Sequence, residues 1–397
     1  MSAEIQFGVD ELEFESSDDL ETYKHDQTIP TTKSAEITSK KGILNILKIN
    51  SSSFSYEKHF VTACAFHSAS KVIAIGYSIP PKKVTKGAIS NRGRLCIFNV
   101  DEDKNPLINN IVLPFIPNFI SAIPCTDQIL VVGTGDEKAD RYMIYNLETN
   151  KANKYPLPQT KHDGIIRSVF NVSISDSGKL MAMSTLGRVI VVHIKTNKVL
   201  REFRHDKSIN CTSFSSCGGY LYCIEAKGNT MHVWNLKTGK KKVIISLRDS
   251  DVIHSVSRHY NPTLNIGRIV CGCDLGISVV YDEKSMHSIK TASKSLFSTP
   301  TISVSSVSTF SNLTTALSHV AIHPSGSIIL AVTPEKRCGI KFYDLQRAVC
   351  FSNFPTQHTR LGKVTACSFS PNGRLVVCGC KSGHVAMWRL RDWCEEE

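Results

Sequence analysis

Cysteine and lysine are the residue types whose spacing in this chain most invites a chemical reading. Cys271-Gly-Cys273 and Cys378-Gly-Cys380 place two thiols one residue apart, whereas cysteine pairs in structural zinc sites are usually separated by about two to four residues. Both pairs recur at one position of a repeated apolar segment, and Cys64, Cys211 and Cys367 recur at another. Repetition at a structural slot points to small buried hydrophobes, a role free cysteine fills well. His67, His193, His254, His323 and His384 are scattered, with no His-Glu-x-x-His spacing among them. Neither a Gly-Lys-Ser/Thr phosphate loop nor a Gly-x-Ser-x-Gly elbow occurs. Carboxylates are sparse inside the apolar segments, so no acid/base pair can be nominated. The expectation is a chain that is not an enzyme, with no metal, cofactor or small-molecule substrate.

The lysines suggest something other than catalysis. Lys237, Lys240, Lys241 and Lys242 cluster after one apolar segment, and Lys82, Lys83 and Lys86 cluster within IPPKKVTKGAISN (79–91). Lys151, Lys154, Lys161 and Arg167 mark a third basic stretch. Lysines on loops neutralise phosphates and give salt-dependent affinity without reading sequence. A solvated rim accounts for them equally well. The formal net charge is +12, although residues 1–22 hold eight acids and neither Lys nor Arg. An acidic tail on a basic body is a reason to consider a nucleic-acid partner, but net charge alone fixes none.

These residues must be positioned by a repeated element. The segments LCIFNV (95–100), YMIYNL (142–147), IVVHIK (190–195), MHVWNL (231–236), SVVYDE (278–283), IKFYDL (340–345) and VAMWRL (385–390) read as strands anchored by Phe98, Tyr145, His193, Trp234, Tyr281, Tyr343 and Trp388. The anchors are 47, 48, 41, 47, 62 and 45 residues apart, and four-stranded propeller blades repeat at about 40–45 residues. Before most anchors lies a pair of apolar strands: 61–77, 165–184, 209–225, 317–332 and 364–380, with 119–134 and 251–273 fitting less cleanly. Pro-Ser-Gly (324–326) and Pro-Asn-Gly (371–373) supply tight turns. The pattern predicts an all-β, seven-bladed WD40-type β-propeller over residues 42–392.

The last repeat is one outer strand short, and GILNILKIN (42–50) is a spare strand-like segment. Pairing 43–50 with the final blade removes two exposed edges. Residues 1–41 are expected to be a short disordered acidic tail, and residues 393–397 form an acidic end. Residues 287–313, with thirteen Ser or Thr, are expected to lie outside the blades and to explain the long fifth interval. No run of about 18 apolar residues predicts a membrane span. The acidic start does not read as a secretory signal, which implies a reducing intracellular compartment.

Several segments between and within the repeats carry a more specific likeness. GILNILKIN, IFNVDEDKNPLINNIVLP (97–114), IIRSVFNVSISDSG (165–178), FSSCGGYLYCIEAKGNTMHVWNLKTGK (214–240) and VCFSNFP (349–355) follow one another in order. The chain thereby resembles the U3 small nucleolar RNA-associated protein 18 family, from about residue 42 to 392. The resemblance implies a non-catalytic scaffold of the small-subunit processome, acting in nucleolar pre-18S rRNA processing and 40S ribosome biogenesis. Implied partners are other propeller subunits of UTP-B, the 5′ external transcribed spacer of pre-rRNA and the U3 snoRNP. Some family members also carry an N-terminal Leu-Phe-x-hydrophobic-Asp motif for an exosome-associated RNA helicase. Here Gln6-Phe7-Gly8-Val9-Asp10 matches at Phe7, Val9 and Asp10, with Gln6 in place of leucine. A competing reading is a substrate receptor of a cullin ubiquitin ligase; Trp388-Arg389-Leu390-Arg391 has the Trp and final Arg of that motif but lacks its aspartate.

Overall fold

The computed structural model describes residues 42–55, 59–68, 71–80, 92–101, 104–135, 142–158, 169–287, 299–356 and 359–391. Their apolar segments form seven sheets, one per blade of a β-propeller. Strand β1 (Ile46–Ile49) comes first in the chain but belongs to the last blade. Blade one is β2–β5 (Phe60–Phe66, Val72–Ile79, Arg92–Asn99, Leu107–Leu113), and blade two is β6–β9 (Phe115–Ala122, Gln128–Gly135, Tyr142–Asn146, Lys151–Tyr155). Blade three is β10–β13 (Asn171–Ile174, Leu180–Thr185, Arg188–His193, Lys198–Arg204). Blade four is β14–β17 (Ile209–Phe214, Tyr220–Glu225, Thr230–Asn235, Lys241–Leu247). Blade five is β18–β20 (Ile253–Asn261, Ile266–Cys273, Ser278–Asp282) with β22 (Ser308–Phe310); between β20 and β22 the chain passes through a short helix α1 (Glu283–His287) and β21 (Thr301–Val304), which joins the sheet of blade four. Blade six is β23–β26 (His319–Ile322, Ile328–Val332, Ile340–Asp344, Val349–Cys350), and blade seven is β27–β29 (Val364–Phe369, Leu375–Cys380, Val385–Leu390).

Second strands such as β24 (IILAV) and β28 (LVVCGC) are buried at every position. Each is covered on both sides by a neighbouring blade, so apolar residues run continuously rather than alternating. Outer strands such as β9 (KANKY) alternate exposed and half-buried residues. The apolar side chains collect in seven clusters, each bridging two adjacent blades, including one that joins blade seven to blade one. The ring is thus held by packing between blades, not by a central core.

Turns between first and second strands follow one design in blades three, four, six and seven. Gly178, Gly218, Gly326 and Gly373 each donate an N–H to the residue three earlier, at 2.8–3.0 Å. All four have φ between 66° and 74°, where glycine escapes the Cβ penalty. These turns also tie blades together. His67 Nε2 contacts Thr126 O at 2.9 Å, Arg268 donates to Gly326 O at 3.3 Å, and His323 donates to Gly373 O at 2.8 Å.

Closure uses β1, which pairs antiparallel with β29, Ile46 opposite Leu390 and Ile49 opposite Met387. Just before it, Leu44 is gripped by Asn353, whose Oδ1 accepts the Leu44 N–H at 2.8 Å and whose Nδ2 donates to the Leu44 carbonyl at 2.7 Å. Ser352 N donates to Gly42 O at 3.1 Å. The Phe-Ser-Asn-Phe-Pro segment (351–355) is therefore the latch on the closing strand.

Two expectations need correction. Residues 287–313 do not all stand outside the blades: β22 is the fourth strand of blade five, and β21 runs parallel to β17 as a fifth strand of blade four. Ile302 and Val304 give this Ser/Thr-rich stretch enough apolar surface to pack against blades four and five. His193 is also not the anchor of the third repeat. The first residue of the second strand faces Asn146, His193, Asn235 and Asp344 in blades two, three, four and six. His193 thus matches the residue after the anchor, and Val192 is the true counterpart of Trp234.

Candidate nucleic-acid interface

The reason His193 aligns with Asn235 is chemical. Both end the third strand and supply a side-chain acceptor to the N–H three residues on: Thr196 N to His193 Nδ1 at 3.3 Å, and Thr238 N to Asn235 Oδ1 at 2.9 Å. Asn146 and Asp344 do the same for Thr149 and Arg347 in blades two and six, at 3.0 and 3.1 Å. The following residue takes a left-handed conformation: Asn150, Asn197, Gly239 and Ala348, with φ of 54°, 53°, 69° and 53°. In blades three and four its N–H returns to His193 O and Asn235 O, both at 2.9 Å. Side-chain capping of this kind lets Asn, Asp or His stabilise the turn through the same acceptor position.

What the turns display differs by blade. IKTNK (194–198) and LKTGK (236–240) each present two exposed lysines, Lys195 with Lys198 and Lys237 with Lys240. The two turns adjoin: Arg201 on β13 donates to Leu236 O at 3.2 Å and to Lys237 O at 3.1 Å. In blade two the turn carries Glu148 before Lys151, and in blade six Arg347 lies 3.8 Å from the Asp344 carboxylate. A lysine-rich arc is therefore concentrated on blades three and four. Asn235 fits it, since an amide caps the turn as an aspartate does without placing a negative charge among the lysines.

Lys241 and Lys242 take a different position. Both are half-buried on β17. Lys241 Nζ lies 5.1 Å from the centre of the Trp234 ring, and Lys242 Nζ lies 4.3 Å from that of Tyr220. Trp234 itself stacks on Phe203 at 4.6 Å, so it is a packing residue. Of the four lysines expected from sequence, Lys237 and Lys240 extend freely, whereas Lys241 and Lys242 lie over rings. Sequence reasoning missed Lys195, Lys198 and Arg201. Lys151 and Lys154 lie on β9 of blade two. Lys82, Lys83, Lys86, Lys161 and Arg167 lie outside the described residues, as do Phe7, Val9 and Asp10.

Other polar side chains are engaged with one another inside the fold. Glu225 accepts from Lys207 at 2.8 Å and faces His232 Nε2 at 2.9 Å, an ion-paired cluster with no nucleophile among its partners. Burial pushes the thiols of Cys211 and Cys367 up to about 12, which leaves them un-ionised. Cys271, Cys273, Cys378 and Cys380 are buried free thiols. Among the described residues, no group of three or more His, Cys, Asp or Glu is arranged to hold a metal. Trp388 is buried and Arg391 donates its N–H to Asn45 O at 2.9 Å, so the Trp388–Arg391 segment sits against the closing strand.

Residues 197–235 and 349–389 match the WD domain, G-beta repeat, model. Each match runs from the outer strand of one blade through the third strand of the next, the usual offset between a sequence repeat and a blade. The chain is 25% identical over 304 residues to a U3 small nucleolar RNA-associated protein 18 homolog of Drosophila melanogaster, covering 75% of this chain and 54% of that protein. It is 21% identical to the Mus musculus homolog over 76% of this chain and 51% of that protein. The match to U3 small nucleolar RNA-associated protein 18 of Saccharomyces cerevisiae is 30% over 138 residues, or 33% of this chain and 21% of that protein. The chain spans about half the length of the fly and mouse relatives. These matches bear out the WD-repeat propeller and the family resemblance read from its segments.

Proposed function

We propose that this chain is a non-catalytic scaffold subunit of the small-subunit processome, acting in nucleolar pre-18S rRNA processing. Its relatives carry a U3 small nucleolar RNA-associated name, which supports a role in ribosome biogenesis. The partners we assign are the U3 snoRNP, the 5′ external transcribed spacer of pre-rRNA and other propeller subunits of UTP-B. The observation that carries the RNA part is the repeated lysine turn on blades three and four, where four exposed ammonium groups stand on two adjoining loops capped from the same position. Such a surface engages phosphates without base specificity. Lys82, Lys83 and Lys86 are assigned the same role.

The test is filter binding of single-stranded RNA across a salt series. Four phosphate contacts contribute about −0.7 each to the slope of log affinity on log salt. Replacing Lys195, Lys198, Lys237 and Lys240 by Glu should flatten that slope by about three and strip the tagged protein from pre-ribosomal particles on gradients. An unchanged slope removes these turns from the interface. The tail motif is a separate proposal: a peptide of residues 1–22 binds the helicase arch domain, and Phe7→Ala and Asp10→Arg abolish it. Equal weak binding by all three peptides removes that claim.

A further inference from the structure

Blade six ends in a fourth strand of only two residues, β26. Beside β1, the outer strand of blade seven, a cleft of about 200 Å³ opens between it and the segment that follows β26. Its floor is built from Trp388 and Phe354, whose rings meet edge-on at 5.4 Å. Ile46 lines its wall, and Lys48 and Arg360 stand exposed at its rim. Among the described residues lining it there is no Asp or Glu.

The backbone beside the cleft is also unfilled. Arg391 N donates to Asn45 O, so Asn45, Leu47 and Ile49 direct their main-chain groups at β29. Leu44, Ile46 and Lys48 direct theirs away from the sheet, by the alternation of an antiparallel ladder. Asn353 takes up both groups of Leu44, mimicking the first rung of a further strand. Among the described residues, no strand lies beyond β1 in that sheet to continue it. The same chain shows that a blade accepts a fifth strand, since β21 adds to the outer edge of β17 over Thr301–Val304.

We propose that the outer edge of β1 and the adjoining cleft form a docking site for an extended acidic segment of a partner protein, which adds to blade seven as a fifth strand. Main-chain groups of Ile46 and Lys48 supply the ladder, an apolar side chain of the segment enters the cleft, and Lys48 and Arg360 meet its carboxylates. Edge addition of this kind takes affinity from the backbone and specificity from alternate side chains. A nucleic acid fits less well, because base stacking needs an open ring face and both Trp388 and Phe354 are at most 4% exposed. The site is on blade seven and does not rest on the RNA reading of blades three and four.

The probe is a short fluorescent peptide alternating aspartate with valine around one phenylalanine, titrated by anisotropy against the whole chain. Saturable binding is expected, weakened about tenfold by the exposed-residue variant K48E/R360E. It should also weaken about tenfold when the peptide is N-methylated at positions facing β1, but not at the alternate positions. Thermal unfolding of K48E/R360E should match the parent chain. No saturable binding, equal binding of a lysine-for-aspartate peptide, or indifference to the N-methyl position overturns the proposal. So does displacement of the peptide by single-stranded RNA that itself depends on Lys48 and Arg360. Self-association of the chain that K48E/R360E abolishes would assign the edge to a second copy instead.

Discussion

Asn353 holds Leu44 by both of its main-chain groups, at 2.8 and 2.7 Å, across a sequence separation of 309 residues. One carboxamide thus does the work of a strand at the point where the ring closes. A side chain that both donates and accepts is required, so neither Asp nor Leu can replace it.

Asn353→Ala should cost about 1–3 kcal/mol, the penalty of two buried main-chain groups losing their partner. Asn353→Asp should do no better, because it keeps the acceptor and loses the donor. Hydrogen exchange checks the locality: Leu44 to Ile49 should exchange faster in both variants while blade-four amides keep their rates. Uniform loosening would argue that the latch is only one packing contact among many.

The turn design makes a prediction at Asn235. Aspartate there caps the turn equally well, as Asp344 does in blade six, so Asn235→Asp should leave stability within about 0.5 kcal/mol. It places a carboxylate beside Lys237 and Lys240, and RNA affinity should fall several-fold at low salt and recover as salt rises. A fall that persists at high salt would point to a damaged turn.

His323 sets a pH dependence. Ser325 N donates to its Nδ1 at 3.1 Å, and its Nε2 donates to Gly373 O at 2.8 Å. The ring is therefore neutral with the proton on Nε2. Burial chiefly drives its pKa down to about 4, below the ordinary value of about 6.5. The unfolded chain takes up the proton first, so the contribution is complete above pH ~6.5 and is lost as pH falls toward ~4. At pH 5 that loss is about 2 kcal/mol. His205, held down to about 3 chiefly by burial, acts with the same sign. Urea midpoints at pH 7 and pH 5 measure the total, and His323→Gln should shrink the difference.

Two glycines at the same turn position separate strain from collision. Gly218→Ala meets nothing within 4 Å and should cost only the left-handed penalty, about 1–2 kcal/mol. Gly373→Ala would set its Cβ 2.4 Å from His323 Nε2, on a ring hydrogen-bonded at both nitrogens. Adding about 1–3 kcal/mol of overpacking, the second variant should be the less stable by at least that margin in denaturant titrations. Equal midpoints would mean that the ring gives way freely.

The repeat was legible because strands packed on both faces demand unbroken apolar runs, and these survive in β24 and β28 whatever the loops do. His193 is misleading in the sequence because an aromatic ring at a strand end reads as packing, whereas its nitrogen serves as a cap. Lys195 and Lys198 are obscured for a related reason: Asn197 stands where blade four has Gly239, which hides that IKTNK and LKTGK are one turn. The Phe-Ser-Asn-Phe-Pro segment stood out as distinctive, yet its purpose was out of reach, since its partner Leu44 lies at the other end of the chain. Serine-rich composition disguised β21 and β22, where a few apolar residues suffice to join an existing sheet.

The closing strand has a consequence for synthesis. Its contact with Asn353 spans 309 residues, and ribosomes add about 5–20 residues per second. Leu44 therefore emerges some 15–60 s before the residue that will hold it. During that interval the blades made so far form an unclosed arc, and Ile46 and Leu47 lack a sheet to join. The nascent chain is most open to capture by chaperones, or to mispairing with a neighbour on the same message, until the last blade leaves the ribosome.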